Sequence, residues 1–143
     1  MIYYVDASTY NNGQPGQQTE VLIVNEKMEI TRTDIGDYPI NLAELTAIVF
    51  AIKAGASLVY SDSIIAIGWI TRGWTKLQDA SLRKGRVTLK HKAMITKAHA
   101  IFSAADCEIM KVDRSANVAG LLYEYYQGKI TKNELDIATH LLW

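Results

Sequence analysis

The first third of the chain alternates short apolar runs with turn signals, a pattern typical of β-strands. Residues 2–8, 20–25 and 28–33 are rich in β-branched and aromatic side chains and are predicted to form strands. A tight turn near Glu26-Lys27 separates the second and third runs, so the three strands are predicted to form an antiparallel meander. Residues 34–39 are predicted to be a loop.

From residue 41 onward the apolar spacing changes to that of helices. Asn41 is predicted to cap the first helix, with Glu44 closing a capping box and Gly55 marking the end. The other predicted helices are residues 63–70, residues 89–105, a helix from Ser115 or Asn117 to Gln127, and a last one capped by Thr131 with Glu134. Residues 73–86 are predicted to be irregular and basic.

Two further short strands, residues 57–60 and 108–112, alternate with these helices. A right-handed crossover from the meander returns beside the first strand. The order therefore predicts an α/β fold with a mixed sheet and helices on both faces. Because the sequence shows no repeat and no linker, residues 1–143 are predicted to form one domain.

Composition indicates a globular chain in a reducing compartment. Hydrophobic residues make up 49% of the 143 residues, enough to bury a core. No apolar run approaches the roughly 20 residues that span a bilayer, and the N-terminus meets Asp6 with no basic region, unlike a signal peptide. Cys107 has no internal partner, which favours an intracellular, cytoplasmic protein. We expect a monomer that does not engage membranes.

Positive charge is concentrated in one part of a neutral chain. Residues 72–97 hold eight basic residues and one acid, Asp79, which leaves a net charge of +7 there and −7 elsewhere. Such a segment can attract a polyanion even when the whole molecule is neutral. A solvated helix face with spare lysines remains the alternative.

Three acids are predicted to converge at one edge of the sheet. Asp6 lies near the end of the first strand, Asp62 follows the fourth, and Glu44 lies in the first turn of the helix between the meander and the fourth strand. Ligand sites in open α/β sheets form at the carboxyl ends of such strands. Clustered carboxylates repel one another unless a cation neutralises them, and hard oxygen ligands favour Mg²⁺ or Mn²⁺. Two such ions about 3.5–4 Å apart can promote phosphodiester hydrolysis.

Each acid also has a simpler structural interpretation. Glu44 is explained equally well as a capping-box acid, and Asp62 as the N-cap of the next helix. Asp6 is harder to explain in this way, because an acid within an apolar strand costs stability unless it is exposed or used.

At this point the sequence resembles the type 1 ribonuclease H family over nearly its whole length. The segments that carry the resemblance are Tyr4-Val5-Asp6-Ala7-Ser8, Asn12-Gly13-Gln14-Pro15-Gly16, Asn41-Leu42-Ala43-Glu44-Leu45, Tyr60-Ser61-Asp62-Ser63, Gly68-Trp69 and Gly73-Trp74. The resemblance implies a five-stranded mixed sheet with strands 1–3 antiparallel and strands 1, 4 and 5 parallel. It also implies an endonuclease that hydrolyses the RNA strand of RNA–DNA hybrids, with Asp6, Glu44 and Asp62 as catalytic ligands of two Mg²⁺ or Mn²⁺ ions.

The final motif of the family departs from its pattern here. Arg114, Asn117 and Ala119 are kept, but Gly120 holds the position of the fourth acid. Three explanations remain open: Asp113 or Glu124 replaces that acid, three acids support slower hydrolysis, or hydrolysis is lost and the domain only binds nucleic acid. A related nuclease that resolves branched DNA, such as a Holliday junction, is a further alternative.

The resemblance also places residues against the two strands of a hybrid. Asn12, Asn41 and the turn at Gly13 are expected near the RNA strand, whose 2′-hydroxyls distinguish a hybrid from DNA. The residues expected to hold the DNA strand are Trp69, Trp74, Lys76, Arg83, Lys84 and Arg86. Core packing is the alternative for both tryptophans.

Overall fold

The structure, a computed structural model, describes residues 1–10 and 18–143. Its first three elements are the predicted antiparallel meander: β1 (Ile2–Tyr10), β2 (Gln18–Asn25) and β3 (Ile30–Gly36). β3 starts later than predicted because Met28 adopts a left-handed φ of 59° in the preceding turn. The Asn25 side chain accepts hydrogen bonds from two backbone N–H groups of that turn, which holds Met28 out of the strand.

The remaining elements complete a five-stranded mixed sheet in the order β3-β2-β1-β4-β5, as predicted. β4 pairs with β1 and β5 pairs with β4, both in parallel. The elements after β3 are α1 (Ile40–Lys53), β4 (Leu58–Ser61), α2 (Ile64–Arg72), α3 (Lys76–Arg83), α4 (Leu89–Ala104), β5 (Glu108–Lys111), a 3₁₀ turn (Arg114–Ala116), α5 (Val118–Tyr126) and α6 (Lys132–Leu142).

Helices cover both faces of the sheet. Successive side chains of β1 point to opposite faces, and apolar side chains on each face pack against helices. Val5 packs in a core that includes Ile48 of α1 and Ile95 of α4. Tyr4 packs on the opposite face with Leu122 of α5 and Leu135 of α6. Full burial of such side chains stabilises the fold by about 1.5–3 kcal/mol each. Within residues 1–10 and 18–143, no helix combines the length and apolar character that crossing a membrane requires.

The predicted start of α1 at Asn41 is wrong. Pro39 occupies the N-cap, with φ −56° and ψ 141°, and its carbonyl accepts the first helical hydrogen bond, from the Ala43 N–H. Asn41 therefore lies inside the first turn and makes no capping hydrogen bond. The other predicted capping box, Thr131 with Glu134, is confirmed at α6.

The prediction that residues 73–86 are irregular is also wrong, since they contain α3. Thr75 and Gln78 form a capping box at its start. None of the α3 residues is buried. The helix has only eight residues and most of them are polar, so few apolar positions mark it in the sequence.

Candidate metal centre

The three predicted acids meet at one point of the fold. Asp6 lies on β1, Asp62 directly follows β4, and Glu44 lies near the start of α1. Each offers a carboxylate oxygen, and these oxygens lie within 4.8 Å of one another. Asp6 and Glu44 are buried, at 2% and 7% exposure, whereas Asp62 is half-buried. We call these three residues the carboxylate cluster.

The simpler interpretations of Glu44 and Asp62 do not fit this geometry. Ser63, not Asp62, caps α2, and its hydroxyl accepts a hydrogen bond from the Ala66 N–H at 3.2 Å. Glu44 does not cap α1, which begins after Pro39 with no side-chain cap. Helix capping therefore accounts for neither carboxylate.

Asn117 connects the cluster to α5. Its side-chain amide donates to the Val5 carbonyl at 2.9 Å and to Asp62 Oδ2 at 3.2 Å. Its oxygen accepts from the Ala119 N–H at 3.0 Å, which caps α5. The fully buried Asn117 thus fixes the orientation of Asp62 relative to β1.

We expect Asn117→Ala and Asn117→Ser to separate these two roles. Both variants lose the amide that holds Asp62, and loss of a group that orients a metal ligand typically lowers metal affinity about 10–100-fold. Serine can still cap α5, so only the alanine variant also loses the cap, at about 0.5–2 kcal/mol. Calorimetric titration with Mn²⁺ and thermal unfolding check the two effects. A serine variant that binds Mn²⁺ as the unchanged protein does would reduce Asn117 to a cap.

Burial and mutual repulsion dominate the electrostatics of the cluster. Burial, followed by the negative charge of Asp6, raises the pKa of Glu44 far above its usual range. Burial, followed by the charge of Asp62, also raises the pKa of Asp6, although Arg114 offsets this in part. Asp6 Oδ1 and Glu44 Oε2 are buried without a hydrogen-bond partner among the described residues. Clustered hard oxygen donors with two unsatisfied atoms fit a divalent cation such as Mg²⁺ or Mn²⁺.

These pKa shifts predict how the stability of the metal-free protein depends on pH. The folded chain holds protons on Glu44 and Asp6 that the unfolded chain releases near the ordinary carboxyl pKa, about 4. The free energy of unfolding should therefore fall as the pH rises from about 4 through neutrality. Thermal unfolding in a chelator should show a lower midpoint at pH 8 than at pH 5. Because metal binding displaces the protons, saturating Mn²⁺ should remove this difference. A difference that Glu44→Gln leaves unchanged would contradict the assignment.

The position of the missing fourth acid faces the cluster. A Cβ atom added at Gly120 would lie 3.4 Å from Asp6 Oδ2, an ordinary van der Waals contact. Neither candidate replacement belongs to the cluster. The Asp113 side chain is 86% exposed and lies 3.9 Å from the Lys111 ammonium, and Glu124 is half-buried one turn further along α5.

The residues predicted to contact nucleic acid are only partly placed by the structure. Asn12 and Gly13 lie outside the described residues, and Asn41 is half-buried in the first turn of α1. Both Trp69 and Trp74 pack against the core, and the Trp74 ring nitrogen donates to Asp79 at 2.6 Å. The four predicted cations, Lys76, Arg83, Lys84 and Arg86, are all exposed, on α3 or just after it.

Two contacts that the sequence did not reveal involve lysines at the start of α4. The Lys90 ammonium lies 4.2 Å from the centre of the Tyr38 ring, just before α1. Lys92 lies 5.6 Å from the centre of the Trp74 ring. Because α1 carries Glu44, the contact of Lys90 with Tyr38 links the basic segment to the end of α1 that contributes to the cluster. Tyr38 lies in a predicted loop, where no periodic pattern marks it.

Fold and site together define an α/β protein with an acidic centre beside the carboxyl end of β4. Asp6 lies in the middle of β1 rather than near its end as predicted, because β1 continues beyond its pairing with β4. Residues 1–120 match the model of the family described as RNase H, and the chain belongs to the RNase H family. The resemblance inferred from the motifs is thereby confirmed. A search of curated proteins found no match to this chain.

A solved structure supports the same fold. The protein is similar to the protease–reverse transcriptase of prototype foamy virus, with a TM-score of 0.52 and 18% sequence identity. The match covers 99% of this chain but only 20% of the viral chain. The likeness therefore concerns the fold of one part of that larger protein.

Proposed function

We propose that this protein is a divalent-metal-dependent endonuclease that hydrolyses the RNA strand of RNA–DNA hybrids. Family membership supports a nuclease of this type. The observation that carries the proposal is the carboxylate cluster, with two buried oxygens that lack partners among the described residues. Buried carboxylates in contact destabilise a fold unless a cation neutralises their charge. A cluster of this kind therefore points to a metal site.

The three acids of the cluster would share the metal ions of the proposed site. Asp6, Glu44 and Asp62 would hold two Mg²⁺ or Mn²⁺ ions, which when bound help to activate water and to stabilise the leaving oxygen. Glu44 must give up its proton to act as a ligand, so metal binding should weaken in acid. Asn117 keeps Asp62 in place through its amide. Asp6 pairs with Leu22 of β2, and β1 pairs with β4 up to Tyr4, so the strand that carries Asp6 gives the site a rigid base.

Recognition of the hybrid is proposed to use the surface around the starts of α1 and α4. Asn41, Asn12 and Gly13 would contact the RNA strand through its 2′-hydroxyls. The exposed cations of and after α3 would contact DNA phosphates, so binding should weaken steeply with salt. Trp69 and Trp74 already pack against the core, so only part of each side chain is accessible to the hybrid.

Gly120 favours a slow version of this enzyme. The described structure brings three acids together and leaves Asp113 and Glu124 outside the cluster. We therefore propose hydrolysis by three acids rather than a replacement ligand. The presence of Gly120 where the family has a fourth acid also favours a second candidate function, a domain that binds nucleic acid without cutting it.

A cleavage assay on four end-labelled substrates tests the proposal. The substrates are an RNA–DNA hybrid, duplex RNA, duplex DNA and a four-way DNA junction, each with Mg²⁺ and with Mn²⁺. We expect cutting confined to the RNA strand of the hybrid. Tight binding with no product in either metal would support the silent domain instead. Cutting of the junction would indicate a nuclease for branched DNA.

A further inference from the structure

A concave surface lies between α1 and α4. It encloses a cavity of about 170 Å³. We call it the α1–α4 groove, and its principal lining residues are Leu45, Val49, Lys53, Met94, Lys97 and Ile101. None of these residues belongs to the carboxylate cluster.

The groove extends away from the carboxylate cluster. Glu44 lies near the start of α1 and Lys53 at its end. Nine residues of α-helix separate the two by roughly 13 Å. Just beyond Lys53, the Gly55 carbonyl accepts a hydrogen bond from the N-terminal ammonium of Met1, next to the start of β1. The far end of the groove therefore lies at the end of the sheet opposite the cluster.

The chemistry of the groove is amphipathic. Val49, Met94 and Ile101 are half-buried and form an apolar floor together with the buried Leu45. Lys53 and Lys97, one from each helix, add two exposed ammonium groups. Neither lysine forms an ion pair with any residue that the structure describes. Glu44, at the other end of α1, is the one acid in the sequences of the two helices.

The size of the cavity limits what can fill it. A cavity of about 150 Å³ accepts a benzene-sized group, whereas pockets for larger organic ligands measure about 300–1,000 Å³. The groove thus suits one large apolar side chain rather than a nucleotide. The flexible thioether of Met94 can adjust to the shape of such a side chain.

We propose that the α1–α4 groove docks an acidic segment of a partner protein, which inserts one large apolar side chain. Charge complementarity selects this partner, because Lys53 and Lys97 are placed to pair with acids that flank the inserted side chain. The inference does not depend on nuclease activity, since the groove lies outside the carboxylate cluster.

Fluorescein-labelled peptides test the proposal by fluorescence anisotropy with the full chain. The probe has five residues, with glutamate and aspartate on both sides of a central phenylalanine. Two matched peptides replace the phenylalanine by alanine or all the acids by lysine. We expect the phenylalanine peptide to bind at least about tenfold more tightly than the alanine peptide. The lysine peptide should not bind.

Charge reversal and amide shifts locate the bound peptide. The double variant Lys53→Glu, Lys97→Glu should weaken binding about tenfold. The control Lys27→Glu, Lys129→Glu changes two other exposed lysines and should bind as the unchanged protein does. In ¹⁵N-labelled protein, the peptide should shift the amide signals of Val49, Lys97 and Ile101.

Five outcomes would overturn the proposal. The first is that the alanine peptide binds as tightly as the phenylalanine peptide, which would show that charge attraction alone causes binding. The second is that the phenylalanine peptide does not bind at concentrations up to about 1 mM. Amide shifts confined to another surface would place the peptide elsewhere. Phenylacetate that binds as tightly as the peptide would assign the groove to a small carboxylate. A dimer in sedimentation equilibrium that Lys53→Glu, Lys97→Glu abolishes would assign it to a second copy of this chain.

Discussion

Asp6→Asn should lower the rate of hybrid cleavage by at least about 10³-fold. The residues of a catalytic site act as one unit, so the loss of one of them removes most of their combined effect on the rate. The same change should stabilise the metal-free protein at neutral pH. Asp6 is 2% exposed and is repelled by Asp62, so an amide removes a buried charge that Arg114 offsets only in part when no metal is bound. Activity and stability are thus expected to change in opposite directions. Initial rates with labelled hybrid and thermal unfolding in a chelator measure the two effects.

Asp106→Asn is the matched control for this prediction. Asp106 is exposed in the segment before β5 and is not part of the carboxylate cluster. The control should leave both the cleavage rate and the unfolding midpoint close to those of the unchanged protein. Cleavage by Asp6→Asn at the rate of this control would refute the assigned role of Asp6.

Gly120→Asp should restore a fourth carboxylate to the site. The added Cβ would lie 3.4 Å from Asp6 Oδ2, so the new side chain starts next to the cluster without a steric clash. We expect Mg²⁺ to bind at least about tenfold more tightly, a gain of about 1.4 kcal/mol, and hybrid cleavage to become faster. Without metal, a further buried carboxylate should destabilise the protein at neutral pH. Calorimetric titration, cleavage rates and unfolding in a chelator measure these changes.

Two substitutions separate the charge at position 120 from its other effects. Gly120→Ala adds the Cβ alone and should stabilise α5 by about 1 kcal/mol through its helix propensity. Gly120→Asn matches the size of aspartate without its charge. If Gly120→Asp binds Mg²⁺ no better than Gly120→Asn, a fourth acid is not what this site lacks.

The sequence predicted the carboxylate cluster because its geometry follows from general rules. Asp6 interrupts an apolar strand, and Asp62 follows another strand that the right-handed crossover returns beside the first. Parallel strands place their carboxyl ends at the same edge of the sheet. The approximate position of Glu44 followed from the start of α1, even though the predicted cap at Asn41 was wrong.

The parts that were not predicted depend on contacts between distant segments or on exposed helices. The hydrogen bond from Asn117 to Asp62 joins residues 55 positions apart, and no local pattern signals such a pair. The contact between Lys90 and Tyr38 is of the same kind. α3 was missed because it has only eight residues, most of them polar and none of them buried, so few apolar positions mark it in the sequence.

Anomalous scattering from a crystal grown with Mn²⁺ tests the central claim most directly. The account predicts a strong anomalous peak beside Asp6, with carboxylate oxygens of Asp6, Glu44 and Asp62 around it at about 2.0–2.2 Å, close to the distances of Mg²⁺ from its oxygen ligands. The same crystals of Asp6→Asn should lose or weaken that peak. Mn²⁺ bound elsewhere, with the three carboxylates in contact but without metal, would contradict it.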